Sequence, residues 1–156
     1  MKKSLLAIGL ISSFAFAEFD TKVLVGASSA KIDKENYTQY NLGYTANTRF
    51  DNGIILGFGD TLSYGNVKNG IQAITLDLDL RAGHEIINNL TGYVIGTGAI
   101  QSVDNNASNG LGYGVSLEYR ITSNVLAEVS YKTINMNDSD KDYDYKTTNF
   151  GVKFNY

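Results

Sequence analysis

The sequence predicts an all-β chain, an eight-stranded antiparallel up-and-down barrel that crosses a membrane. Three observations predict it. Apolar and polar residues alternate along eight long stretches. Aromatic side chains on the apolar faces gather near the ends of those stretches. The opposite faces carry Gly, Ser, Thr and Asn with charges of both signs, which suits a narrow interior better than a solvated surface.

The 156 residues suffice for one domain. They open Met1-Lys2-Lys3, continue apolar from Leu5 to Ala17, and leave through Ala15-Phe16-Ala17. A basic start, a short apolar middle and a small-residue exit read as a secretory signal peptide over residues 1–17. The run is shorter than the ~20 residues of a spanning helix. The barrel is then expected over 18–156. With no cysteine, disulfides and thiolate metal sites are excluded, and a lipid anchor is not expected. A net charge of -3 supplies no basic field for nucleic acid. The absence of proline suits a chain of hydrogen-bonded strands.

The strands are taken in order. Residues 19–28 set Phe19, Thr21, Val23, Val25 and Ala27 against Lys22, Leu24, Gly26 and Ser28. After a polar connection over 31–36, residues 38–50 place Tyr40, Leu42, Tyr44, Ala46 and Phe50 on the apolar face and Arg49 on the other. Asp51-Asn52-Gly53 is a tight turn, because Asn and Gly accept positive φ. Residues 54–64 carry Ile54, Leu56, Phe58, Leu62 and Tyr64 on one face, where Asp60 interrupts them. Residues 71–83 set Ile74, Leu76, Leu78 and Leu80 against Asp77, Asp79 and Arg81. In residues 91–101 the apolar face is read as Tyr93, Ile95, Thr97 and Ala99, opposed by Gly92, Val94, Gly96 and Gly98. Residues 111–121 oppose Leu111, Tyr113, Val115, Leu117 and Tyr119 to Glu118 and Arg120, and residues 125–133 oppose Val125, Ala127, Val129 and Tyr131 to Glu128 and Lys132. A charged loop over 137–146 precedes the last strand, where Phe150, Val152, Phe154 and Tyr156 alternate with Lys153. The strands are about 9–13 residues long, against the ~9–11 a tilted membrane strand needs.

A soluble barrel would turn the apolar faces inward; a membrane barrel turns them to lipid. The spacing of the stretches favours the second, with short links after strands two and six and longer polar ones after one, five and seven. The aromatics form two girdles, Phe19, Phe50, Tyr93, Tyr119 and Tyr156 at the periplasmic edge, and Tyr40, Tyr64 and Tyr113 at the outer edge.

The leader, the eight strands, Gly112-Tyr-Gly-Val-Ser-Leu-Glu-Tyr-Arg120 and the terminal aromatic strand resemble the small outer-membrane β-barrel superfamily, which includes the OmpA membrane domain and the OmpX/Ail type. The resemblance implies the outer membrane of a bacterial envelope, with lipid or lipopolysaccharide around the barrel. It also implies that Phe150, Val152, Phe154 and Tyr156 are the signal read by the barrel-assembly machinery. The peptidoglycan-binding domain of OmpA is not expected, since the chain stops at the last strand.

The best-defined chemical constellation is a network of inward charges: Lys22, Arg49, Asp77, Asp79, Arg81, Glu118, Arg120, Glu128, Lys132 and Lys153. Parity allows Glu128 to oppose Glu118 or Arg120; Arg120 is preferred, because opposed like charges are destabilising. The network is expected to plug the lumen, with a small gated pore, as in OmpA-type barrels, as the alternative. No catalytic, cofactor or metal site is expected. His84 lies at the wrong end for a lipid-A deacylase of this barrel size, whose histidine works near the outer lipid face. Asp138, Asp140, Asp142 and Asp144 lack the glycine of an EF-hand loop. Asp104-Asn105-Asn106-Ala107-Ser108 matches an extended glycosylation sequon, read as chance. A bulge near Gly57 or Gly59 is expected to turn Asp60 inward, the alternative being contact with an oligomer partner. The function expected is non-enzymatic, supporting the envelope or presenting outer loops to a surface ligand.

Overall fold

The computed structural model describes residues 19–32, 34–68, 70–104, 106–138 and 142–155. The expected leader over 1–17 lies outside these residues, as do Asn105, Asp140 and Tyr156. The described chain forms eight strands: β1 (Asp20–Ile32), β2 (Glu35–Arg49), β3 (Ile54–Lys68), β4 (Ile71–Ile87), β5 (Leu90–Val103), β6 (Asn106–Arg120), β7 (Val125–Asn137) and β8 (Asp142–Asn155). Each pairs antiparallel with its neighbour in sequence, and β8 returns to β1, so the sheet closes without an edge.

The strands are tilted. The register runs from Thr21 through Ala46, Phe58, Leu80, Gly96, Tyr113, Thr133 and Lys146 to Lys31. One circuit therefore climbs ten residues along β1, the stagger that closure of a tilted sheet demands. One end of the barrel, here the lower, holds the start of β1, the end of β8 and the connections 50–53, 88–89 and 121–124. The upper end holds the other four connections.

The strands run 13 to 17 residues, longer than expected. The expected contrast between short turns and long polar loops is absent, because residues assigned to loops at the upper end continue the ladders. Lys31 pairs with Asn36, and Tyr145 with both Ile32 and Ile134. Continued pairing satisfies backbone groups that a loop would leave to water. The turn at 51–53 forms as expected, with Gly53 at φ 81°.

Alternation persists along these extensions, but its polarity inverts. In the lower two-thirds the outward side chains are apolar: Val25, Leu42, Leu62, Leu78, Leu80, Val94, Val115, Phe150 and Phe154 are exposed. Above that belt the outward residues are polar and the inward ones apolar. On β7, Val129 and Tyr131 face out below, whereas higher up Ile134 and Met136 are fully buried between Thr133, Asn135 and Asn137. On β8, Asp142, Asp144 and Lys146 face out while Tyr145 is fully buried. The molecule is a membrane barrel through its belt and an ordinary water-facing barrel above it.

β5 corrects the sequence reading. Tyr93, Ile95, Thr97, Ala99 and Gln101 point inward, and Val94, Gly96 and Ile100 point outward. Alternation separates two faces without saying which is inside, and a glycine-rich face had suited a narrow lumen. The room is made instead on β4. Gly83 stands opposite Tyr93, and a Cβ at Gly83 would collide with that ring.

Asp60 is also a correction. The β3 register is continuous through it and shifts only between Asn66 and Lys68, so no bulge turns it. It remains on the outward face, paired in register with Tyr44 and Leu78.

Candidate functional site

The barrel interior collects side chains that alternation on five strands aims inward: Lys22 from β1, Asp77, Asp79 and Arg81 from β4, Glu118 from β6, Glu128 and Lys132 from β7, and Lys153 from β8. Four cations thus meet four carboxylates, all nearly excluded from solvent. Burial of such groups is tolerable only when each is paired.

They form two groups. In the lower, Lys153 Nζ donates to Glu118 at 3.0 Å and to Glu128 at 2.6 Å. Arg81 donates to the same Glu128 oxygen and, at 2.8 Å, to Ser116 Oγ. Lys22 donates to Asp20 at 2.6 Å and lies 3.6 Å from Glu118. The Arg81 guanidinium also sits 4.3 Å over the Tyr93 ring, a cation–π contact inside the barrel. In the upper group, Lys132 Nζ donates to Asp77 at 2.9 Å and to Asp79 at 2.8 Å.

Two residues assigned to this network stand elsewhere. Arg49 is half exposed at the lower mouth and donates to Glu85 at 3.1 Å. Arg120 donates to the Ser123 carbonyl oxygen at 3.3 Å, in the turn that follows it. Both have inward parity but sit at strand ends, where long side chains reach water. The register preference is corrected too: Glu118 opposes Glu128, and Arg120 opposes Leu126.

Above the charges lies a layer of neutral hydrogen bonds. Asn41 donates to Asn149 at 2.6 Å, Gln39 to the Tyr145 hydroxyl at 2.8 Å, and Gln101 to Thr75 at 2.8 Å. Over it, Ala30, Tyr37, Ala73, Ala99, Ile134, Met136 and Tyr145 form an apolar plug. The sequence reading missed this plug. Its signal was present, because Ile134-Asn-Met136-Asn and Asp142-Tyr-Asp-Tyr145 alternate, but with apolar residues inside. The cavity between the two charged groups measures about 20 Å³, little more than one water requires.

Outside, Phe50, Tyr119 and Phe154 mark the lower border of the belt, and Tyr40, Tyr64 and Tyr113 the upper. Phe19 packs edge-on against Phe58, with centroids 5.9 Å apart. Tyr93 is the correction here: it is 5% exposed and belongs to the interior. Phe150, Val152 and Phe154 all face outward. His84 is exposed at the lower end, opposite Ile54 and Gly92. At the β7–β8 tip, Asp142 accepts from Asn137 at 2.6 Å and Asp144 lies 3.4 Å from Lys146.

This inside-out arrangement defines a small eight-stranded transmembrane barrel, and comparison with solved structures gives the same fold. Neisserial surface protein A is similar at TM-score 0.63 and 14% identity, over 88% of this chain and 97% of that one. Ail, the attachment invasion locus protein of Yersinia pestis, is similar at 0.58 and 17%, over 89% and 99%. The N-terminal β-barrel domain of Pseudomonas aeruginosa OprF is similar at 0.55 and 18%, over 89% and 100%. No protein-family model and no curated protein matches the sequence.

Proposed function

We propose that the protein is a non-enzymatic barrel of the bacterial outer membrane, which works through its outer surface rather than its lumen. The observation that carries this reading is the sealed interior. Paired charges fill the lower half, hydrogen-bonded amides and hydroxyls the middle, and an apolar plug the top. A gated pore would have to open all three layers, and no observation favours that second reading. Catalysis by the interior carboxylates would need a substrate to enter a space of about 20 Å³.

The working surface is then the upper rim, a closed wall of paired strands standing above the belt. Lys31, Lys34, Glu35 and Lys68 lie on the β1–β3 side of it, and Asp138, Asp142 and Asp144 on the β7–β8 side. Such a rim suits contact with an external surface or with lipopolysaccharide headgroups. Insertion through the assembly machinery would use the outward Phe150, Val152 and Phe154 with Tyr156, after removal of residues 1–17.

Three measurements test this. The folded protein should migrate differently on SDS gels before and after boiling and should fractionate with outer membranes; recovery from the soluble periplasm would sink the reading. In planar bilayers, wild type and Glu128→Ala should both be silent, and regular conductance steps would reinstate the pore. Lipid A from cells expressing wild type or His84→Ala should show identical masses, and a difference would revive the enzyme.

A further inference from the structure

We propose that the outward face of β8 and β1, just above the apolar belt, binds the phosphate group of a glycolipid headgroup in the outer leaflet. This rests on the outer-membrane location proposed above and names a partner for one part of the rim. The register stacks three rows on this face. Phe150, Ala27 and Tyr40 end the belt; Thr148, Ser29 and Thr38 lie above them; Lys146, Lys31 and Asn36 lie above those. Ala30, Tyr37, Gln39, Tyr145 and Thr147, which alternate with the upper two rows, are buried, so both rows face outward. Lys31 and Lys146 stand directly opposite each other. Like charges so placed are destabilising on their own, and an anion between them removes the repulsion.

The surroundings indicate which anion. Asp144 lies 3.4 Å from Lys146 and offsets one charge. Among the described residues, none of the ion pairs includes Lys31. The hydroxyls of Thr148, Ser29 and Thr38 stand on the belt side of the lysines, whereas Asp144 and Asp142 stand on the water side, further up β8. An anion anchored in the membrane therefore meets donors and cations first, and one arriving from solution meets carboxylates first. Phosphate suits the inner position, because it accepts several hydrogen bonds and is attracted by each lysine at this depth. Beside the lysines a cleft of about 300 Å³ is lined by Lys31, Asn135, Asp142, Tyr143, Asp144 and Lys146. Its amide and carboxylates can bond sugar hydroxyls. Phosphate below and sugar above is the chemistry of a phosphorylated glycolipid.

The barrel would be purified folded, in detergent, from outer membranes of cells expressing the full chain, and titrated with lipids by native mass spectrometry. The heat-dependent gel shift checks that each variant is folded. Lipid A carrying its phosphates should bind, and dephosphorylated lipid A and phosphatidylglycerol should each bind about tenfold more weakly or worse. Lys31→Gln and Lys146→Gln should each weaken lipid A binding about fivefold, and the two together about thirtyfold. Ser29→Ala with Thr148→Val, which changes no charge, should weaken it about threefold or more. Arg120→Gln, which removes the same charge at the lower end, should leave it unchanged. Equal affinity for dephosphorylated lipid A, or equal losses from Arg120→Gln and Lys31→Gln, would overturn the proposal. So would displacement of lipid A by millimolar inorganic phosphate, which would make soluble phosphate the ligand. Recovery of the barrel from the soluble periplasm would instead overturn the location on which the proposal rests.

Discussion

Glu118 and Glu128 stand directly opposite one another on β6 and β7, and Lys153 donates to both. Opposed carboxylates are destabilising when considered as an isolated pair. Here the compensation comes from three other strands, Lys153 on β8, Arg81 on β4 and Lys22 on β1. The like-charged pair is stable because the barrel is closed and narrow enough for three cations to converge on it.

Lys153→Met should therefore lower stability by about 3–5 kcal/mol, the usual consequence of leaving a buried charge without its partner. Urea-dependent folding into vesicles, followed by far-ultraviolet circular dichroism, measures it. Glu118→Gln in the same chain should restore part of the loss. An unchanged midpoint for Lys153→Met would mean that the carboxylates do not depend on this lysine.

Tyr93→Leu should lower stability by about 2 kcal/mol through loss of the ring beneath Arg81, whereas Tyr93→Phe, which keeps the ring, should change it little. The same urea titration applies. A membrane-border tyrosine would tolerate leucine, so equal stability of the two variants would contradict the inward placement.

Two glycines should respond in opposite ways to valine. A Cβ at Gly96 meets nothing within 4 Å, and the position faces outward. Gly96→Val should be neutral or stabilising by up to about 1 kcal/mol, since a β-branched side chain suits a strand. At Gly112 a Cβ would collide with the Thr133 carbonyl oxygen, so Gly112→Val should cost about 1–3 kcal/mol from overpacking. Similar losses at both sites would argue against the outward assignment of Gly96.

Above the belt the two faces of β7 should behave like those of a soluble barrel. Ile134→Ala should cost about 2–4 kcal/mol by opening the plug, and Asn135→Ala should stay within about 0.5 kcal/mol. A substantial loss at Asn135 with none at Ile134 would show that the polarity does not invert there.

Strand number, antiparallel order and membrane class follow from local alternation, and they are legible because side chains on a strand change face every residue. The inward aim of Lys22, Asp77, Asp79, Arg81, Glu118, Glu128, Lys132 and Lys153 is legible for the same reason, since each lies opposite an unmistakably apolar face. Tyr93 was not. β5 offers glycine against aromatic and aliphatic residues, and without a charge on either face its orientation depends on the space that Gly83 leaves beside Arg81. Arg49 and Arg120 have the right parity, but distance from the barrel mouth decides whether a long cation is buried or hydrated.

What the sequence determined by itself is thus the sheet and its two faces. The tertiary structure decided which face is inside on β5, which carboxylates oppose each other, and where polarity inverts above the belt. Each of these depends on the depth of a residue along a tilted, closed sheet. Depth is set by the stagger that accumulates to ten residues in one circuit, a property of the whole barrel that no single strand contains.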